Sequence, residues 1–311
     1  MRLALTAALS AILTFGPAGS MGARQQNFDS VQMRVQPVQG TVYLLAGAGG
    51  NITLQIGKDG VLLVDTAFAP LAEKIMAEIR KLSRGPIRYI INTHVHPDHV
   101  GGNGALARLI PQSPQQPLKI IGHENVLNRL SVPVPGNPPL EGGLPTDEYF
   151  TPTKDLHFNG EAVIIYHEPK AHTDGDSVVL FRGSDVVSAG DVFTPDGYPF
   201  IDLERGGSIQ GEIAALNHIL QLTVPAKTQE GGTYVIPGHG RVCDEADVVE
   251  YRDMVVIIRD RIQDLVRKGM TLQQVKAVRP TRDYDTRYVS SSSFVTADGF
   301  VEAIYKGLTQ K

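Results

Sequence analysis

At 311 residues the chain suffices for one large or two ordinary domains, and its net charge of −4, from 29 basic and 33 acidic side chains, comes with no basic block. Lacking a clustered positive surface to neutralise phosphates, it is not expected to take nucleic acid as a partner. A content of 42% hydrophobic and 20% charged residues suits a globular protein, 32 glycines and 20 prolines point to many turns between short strands, and the lone Cys243 excludes an intrachain disulfide.

Residues 1–23 have the layout of a cleavable secretory signal. Arg2 supplies a short positive start, Leu3–Phe15 is an uncharged apolar run, Gly16-Pro17 breaks it, and Ala18-Gly19-Ser20 offers small residues for cleavage. The run is too short to span a bilayer comfortably. The expectation is a periplasmic or secreted protein with residues 24–311 as one mature domain and no stable membrane association after cleavage; an uncleaved anchor is the alternative.

After a polar leader, Gln25–Gln39, the segments Val42–Leu45 and Ile52–Ile56 read as strands joined by a Gly47–Asn51 hairpin tip. Gly57–Gly60 then turns into a buried strand, Val61–Val64, ended by Asp65-Thr66. From Pro70, the residues Leu71, Ile75, Ile79 and Leu82 form one apolar helical stripe, closed by Gly85-Pro86. The strand Ile87–Ile91 follows, and directly after it comes Thr93-His94-Val95-His96-Pro97-Asp98-His99-Val100-Gly101-Gly102-Asn103. Beyond lie a short helix Gly102–Ile110, a strand Leu118–Ile121 and a helix Glu124–Leu130. Val132–Pro152, rich in proline and glycine, reads either as a surface loop or as a lid over a site. Strands Glu161–His167, Asp176–Phe181 and Asp185–Ser188 precede a helix Ile209–Leu222, a strand Tyr234–Ile236 and a long helix Asp244–Lys268. A Thr271-capped helix stopped by Pro280 and a last helix Ser293–Leu308 complete one domain of mixed sheets with helices outside.

Three imidazoles and a carboxylate crowded into His94–His99 at the end of a buried strand are costly to desolvate unless something compensates them. A divalent metal does so, because imidazole nitrogen and carboxylate oxygen are donors that zinc takes. Further strand ends carry matching groups beside glycine, which lets backbone and metal approach closely: His172 in Lys170–Asp176, Asp191 after Gly190, and His239 in Pro237-Gly238-His239-Gly240. His123, His157, His167 and His218 lack such a context and read as surface or packed histidines, and Cys243 as a small packed residue.

This ordered set, a His-x-His-x-Asp-His run followed by Gly-Gly, a separate His, a post-strand Asp and a Gly-His-Gly, with Asp65 as an opening motif, resembles the metallo-β-lactamase superfamily. The resemblance spans Val42 to Gly240 and implies an α+β fold, the four-layer αββα sandwich. It implies that His94, His96 and His172 bind one Zn2+ and Asp98, His99 and His239 a second, with Asp191 bridging the two; iron or manganese is the alternative metal. Aspartate rather than cysteine at 191 is similar to the glyoxalase II and lactonase branches, and His96 stands where flavodiiron proteins carry glutamate. Asp65 is read either as a cap of the following helix or as a support for a ligand, and Asp174 as a turn residue or as one orienting a histidine ligand.

The resemblance further implies hydrolysis by a metal-activated water, with Asp98 as the catalytic residue that anchors the nucleophile. The expected substrate is a small molecule with a C–N, C–O or C–S acyl bond, best a cyclic amide or ester (β-lactam or lactone). Export argues against a glutathione thioester, and Arg279, Arg282 and Arg287 are scattered where glyoxalase II clusters its basic groups. Thr194 occupies the place of a lysine that several β-lactamases use to anchor a carboxylate. Phe193, Thr194, Tyr198 and the Gly47–Asn51 tip, Asn51 included, are candidate pocket walls. A glyoxalase II-like thioesterase and an iron-dependent persulfide dioxygenase are the alternatives; a non-catalytic binding protein is disfavoured by the intact ligand set.

Overall fold

A computed structural model describes residues 27–111, 113–132, 140–229, 231–290 and 293–309. The expected signal sequence at 1–23 lies outside the described residues, as does part of the Val132–Pro152 segment. The first half of the chain runs β1 (Arg34–Gln39), β2 (Val42–Ala46), β3 (Ile52–Gly57), β4 (Gly60–Val64), α1 (Ala72–Leu82), β5 (Ile87–Ile91), α2 (Pro97–Val100), α3 (Asn103–Leu109), β6 (Lys119–His123), α4 (Glu124–Leu130) and β7 (Asp147–Tyr149). The second half runs β8 (Thr153–Phe158), β9 (Glu161–Glu168), β10 (Asp176–Phe181), β11 (Val186–Gly190), α5 (Ile209–Leu222), β12 (Tyr234–Pro237), β13 (Cys243–Asp244), α6 (Glu245–Arg267), α7 (Leu272–Val278), α8 (Asp285–Tyr288) and α9 (Ala297–Thr309).

One sheet holds β1 to β7 in chain order; the other has the order β13-β12-β11-β10-β9-β8. Strand alternation sorts the apolar side chains into three layers. In β4, Leu62 and Val64 face the second sheet beside Val179, Phe181 and Ile236, while Val61 and Leu63 face α1 and α3 through Ile75, Ile79 and Leu106. In the second sheet Val178, Val187 and Val235 turn the other way, onto Leu216, Val255, Ile258 and Phe300 of α5, α6 and α9. Helices therefore cover the outer face of each sheet, and the αββα order is that expected from sequence.

Four strands carry no expectation from sequence: β1, β7, β8 and β13. They are the edges of the two sheets. The polar leader folds as β1, paired antiparallel to β2 with a register shift at Pro37, a proline that an edge tolerates. β7 lies within the segment read as loop or lid, and the first turn after Gly49-Gly50 stays a hairpin tip. The last helix starts at Ala297, not Ser293, and α6 starts at Glu245 with Asp244 as its cap. Asp244 accepts from the Asp247 amide while the Asp247 carboxylate accepts from the Asp244 amide.

Two parallel pairings position the site. β4 runs parallel to β5, and β11 parallel to β12, so the chain leaves each pair at the same end. Asp65, His94, Asp191 and His239 all follow those ends.

Candidate metal centre

From β5 the chain passes Asn92 and Thr93 into His94. Asp65, at the end of β4, reaches across: its Oδ1 accepts from the Thr93 amide at 2.8 Å and its Oδ2 from the Thr93 hydroxyl at 2.6 Å and from His99 Nδ1 at 2.8 Å. It sits at φ 64°, a left-handed conformation that Asp tolerates better than most residues. The residues that start the following helices make no side-chain cap, so of the two readings of Asp65 the supporting one matches the contacts. His96 precedes α2, and Pro97 opens that short helix without needing an amide hydrogen bond, which turns Asp98 and His99 back toward His94. Buried Asn103 ties the turn to Thr66 and Asn92 through its side chain.

The donors form two groups. His94, His96, His172 and Asp191 offer ligand atoms within 4.8 Å of one another, and so do Asp98, His99 and His239. Asp191 faces both: Oδ2 lies 3.8 Å from His94 Nε2 and 3.7 Å from His172 Nε2, while Oδ1 lies 3.2 Å from His99 Nε2 and 3.5 Å from His239 Nε2. Asp98 Oδ2 stands 3.3 Å from His239 Nε2. Close approach of backbone is part of the design. A Cβ at Gly238 would stand 1.9 Å from Asp191 Oδ1, and one at Gly50 would stand 2.3 Å from the His99 ring.

Hydrogen bonds at the far nitrogen set which lone pair each imidazole presents. Thr93 Oγ1 donates to Asp65 and so accepts from His94 Nδ1 at 3.0 Å, leaving His94 Nε2 buried without a partner. His172 Nδ1 donates to the Phe200 carbonyl at 2.5 Å, and His96 Nε2 to Asp202 at 2.9 Å, whose carboxylate also takes Arg205 at 2.7 Å. His172 Nε2 and His96 Nδ1 are then left facing each other at 2.8 Å, two lone pairs that only a cation or a shared proton reconciles. Asp191 Oδ1 is likewise buried without a hydrogen-bond partner.

The titration behaviour agrees. Burial, reinforced by His99 and the other imidazoles, holds His94 well below the ordinary histidine value; burial, with Asp191 opposing and His96 assisting, holds His172 at about 4. Both are neutral ligands at pH 7. Burial alone would lower His99 and His239, but Asp191 and Asp65 raise the first, and Asp191 and Asp98 raise the second to about 9. Asp191 is held well below the carboxylate range by His99 and His239 despite burial. Protons on His99 and His239 thus stand where a cation would: the two carboxylates require positive charge between them. Four-plus-three donors of nitrogen and oxygen, with unpartnered lone pairs pointing inward, fit a pair of divalent ions. Without a thiolate the set suits zinc, iron and manganese alike.

Other expectations need correcting. Asp174 does not orient a histidine ligand: its carboxylate takes Arg129 bidentately, at 2.8 and 2.6 Å. That role falls to Asp202 on His96, which sequence reasoning missed; Asp202 lies in Pro199-Phe200-Ile201-Asp202, with no histidine spacing to mark it. Phe193 is 0% exposed and Tyr198 2%, both packed under α6 and α9, so neither lines a pocket. The Thr194 hydroxyl is engaged with Tyr251 at 3.1 Å. Asn51 instead braces the His239 loop, donating to the Pro237 and Gly240 carbonyls. Cys243 is buried and outside the donor groups. Away from the site, His123 stacks on His167 at 3.6 Å and His218 binds Glu168.

The chain belongs to the metallo-β-lactamase superfamily, whose profile matches residues 45–239 and so takes in every candidate ligand. Among solved structures it is similar to a stereoselective inverting sec-alkylsulfatase from Pseudomonas sp., with a TM-score of 0.63 at 16% identity over 88% of this chain and 50% of the other. It is also similar to a metallo-β-lactamase from Pontibacter korlensis, with a TM-score of 0.57 at 16% identity over 72% of this chain and 99% of the other. Among curated proteins, the linear primary-alkylsulfatase of Pseudomonas sp. (strain ATCC 19151) is 44% identical over 45 residues, 14% of this chain and 8% of that protein. The chain therefore spans half of the sulfatase structure and a small part of the curated sulfatase. Its fold is that of this superfamily. Among the described residues no helix is long and apolar enough to cross a membrane.

Proposed function

We propose that the protein is an exported two-zinc hydrolase of a small neutral ester, a lactone being the best-fitting case. The observation that carries this reading is Asp191, one carboxylate facing two groups of imidazole donors. A pair of divalent ions bound there supplies Lewis acidity toward the acyl oxygen and acidifies a water for attack at neutral pH. The chain's own groups orient that chemistry. Asp98 is partly exposed at the mouth, and His239 and His99 keep it ionised although burial opposes them, so it accepts a hydrogen bond from the attacking water and fixes its direction. His94, His96 and His172, each held at its second nitrogen, keep their lone pairs fixed on one side of the reacting group.

A neutral substrate is favoured because the cation beside His96, Arg205, is committed to Asp202, and Thr194 supplies no charge to hold a β-lactam carboxylate. The export expected from residues 1–23 argues against a cytosolic thioester. Seven donors, rather than a smaller set, favour two ions over the single iron of a persulfide dioxygenase. A second reading, hydrolysis of an alkyl sulfate ester, draws support from the 44% identity to the primary alkylsulfatase over 45 residues.

The test is metal analysis of the purified mature protein together with hydrolysis of a γ-lactone, nitrocefin, S-lactoylglutathione and an alkyl sulfate. Two ions per chain and chelator-sensitive lactone turnover are expected. Turnover confined to the sulfate moves the assignment to the second reading; one iron per chain with no hydrolysis overturns both.

A further inference from the structure

Two phenylalanines stand beside the metal centre with their rings in the open. The Phe200 carbonyl holds His172, and the Phe200 ring packs 5.7 Å from the His96 ring and 5.6 Å from that of His172, yet the residue remains 36% exposed. Phe294 meets Phe200 edge-on at 5.1 Å and is 83% exposed. Its position is built: Val289 and Val295 on either side pack into the core formed with α9, and the Thr296 hydroxyl accepts from the Gly299 amide as that helix begins. Between those inward-facing valines Phe294 projects onto Phe200.

We propose that Phe200 and Phe294 form an apolar wall on the His96–His172 side of the site, and that it selects substrates bearing a hydrocarbon chain or ring next to the scissile bond. This deepens the hydrolase reading and rests on it. Exposed aromatic area contiguous with a reaction centre gains most when a ligand removes it from water. Full burial of one methylene is worth roughly fourfold in affinity. A wall covering one side of a chain gives about half of that in free energy, so six additional methylenes yield at least about 30-fold.

The experiment measures calorimetric affinity of the zinc-loaded protein for acetohydroxamic and octanohydroxamic acid, small metal-seeking probes that differ only in chain length. Wild type is expected to prefer the octanoyl probe by at least about 30-fold. In Phe294→Ala the preference falls below about 5-fold, and Phe294→Leu, which restores an apolar surface, recovers most of it. Equal preference in wild type and Phe294→Ala, or no preference in wild type, overturns the wall and leaves the metal site standing. Failure of both probes to bind overturns the metal-site reading, and the wall with it.

Discussion

Each buried imidazole of the centre is held at one nitrogen by an oxygen, and which oxygen decides how firmly its other lone pair is aimed. Asp65 does most, serving the Thr93 amide, the Thr93 hydroxyl and His99 at once. Asp65→Ala is expected to weaken metal affinity about 10- to 100-fold, read by competition with a chelator. It also strands a buried amide and hydroxyl, lowering stability by about 1–3 kcal/mol in urea unfolding. Asp202→Ala is expected to act on metal affinity in the same direction through His96. His123, outside the centre, gives a pH signature. Burial first, and the stacked His167 second, depress it to about 4, from 6.5 in the unfolded chain. Between those values the unfolded state binds more protons, so the His123 contribution is complete above pH 6.5 and is lost as pH falls toward 4. The melting temperature of wild type should therefore drop over that window more steeply than that of His123→Phe.

At the scale of elements, helix ends and strand ends carry the site. Gly238→Ala places a methyl on Asp191 Oδ1 and is expected to cost the protein bound metal while leaving far-ultraviolet circular dichroism near that of wild type. Asp244→Ala removes the α6 cap and should cost about 1 kcal/mol in urea unfolding with no loss of metal. Interior strands such as β4 and β10 were legible in the sequence because both of their faces are largely buried and carry apolar runs, Val61–Val64 and Val178–Phe181. The four edge strands were not, since an edge strand carries little apolar signal: Arg34–Gln39 lay within the polar leader, and Thr153–Phe158 carried no strand expectation. The candidate ligands were legible because each follows a strand end beside glycine. Asp202 and the Phe200 carbonyl were not, because a backbone carbonyl has no sequence signal and Asp202 meets His96 only through tertiary folding. Phe193 and Tyr198 misled because proximity in sequence to Asp191 says nothing about which way a ring turns.

Across the whole molecule, three apolar layers set two rims in register, and the donor groups of the candidate metal centre meet at the seam between the sheets: His94 and His99 come from one, His172, Asp191 and His239 from the other. The helical layer over the second sheet depends on buried Phe300, and Phe300→Ala is expected to destabilise by about 3–5 kcal/mol, measured by urea unfolding at constant metal load. Metal bound across the seam should stabilise both sheets together, since ligands from each must be in place at once. Metal stoichiometry of purified wild type and Asp191→Ala protein tests most directly the proposal that Asp191 joins two ion sites. Two divalent ions per chain are expected in wild type, with at least one lost in the variant. A single ion per chain in wild type, retained undiminished in Asp191→Ala, would contradict it.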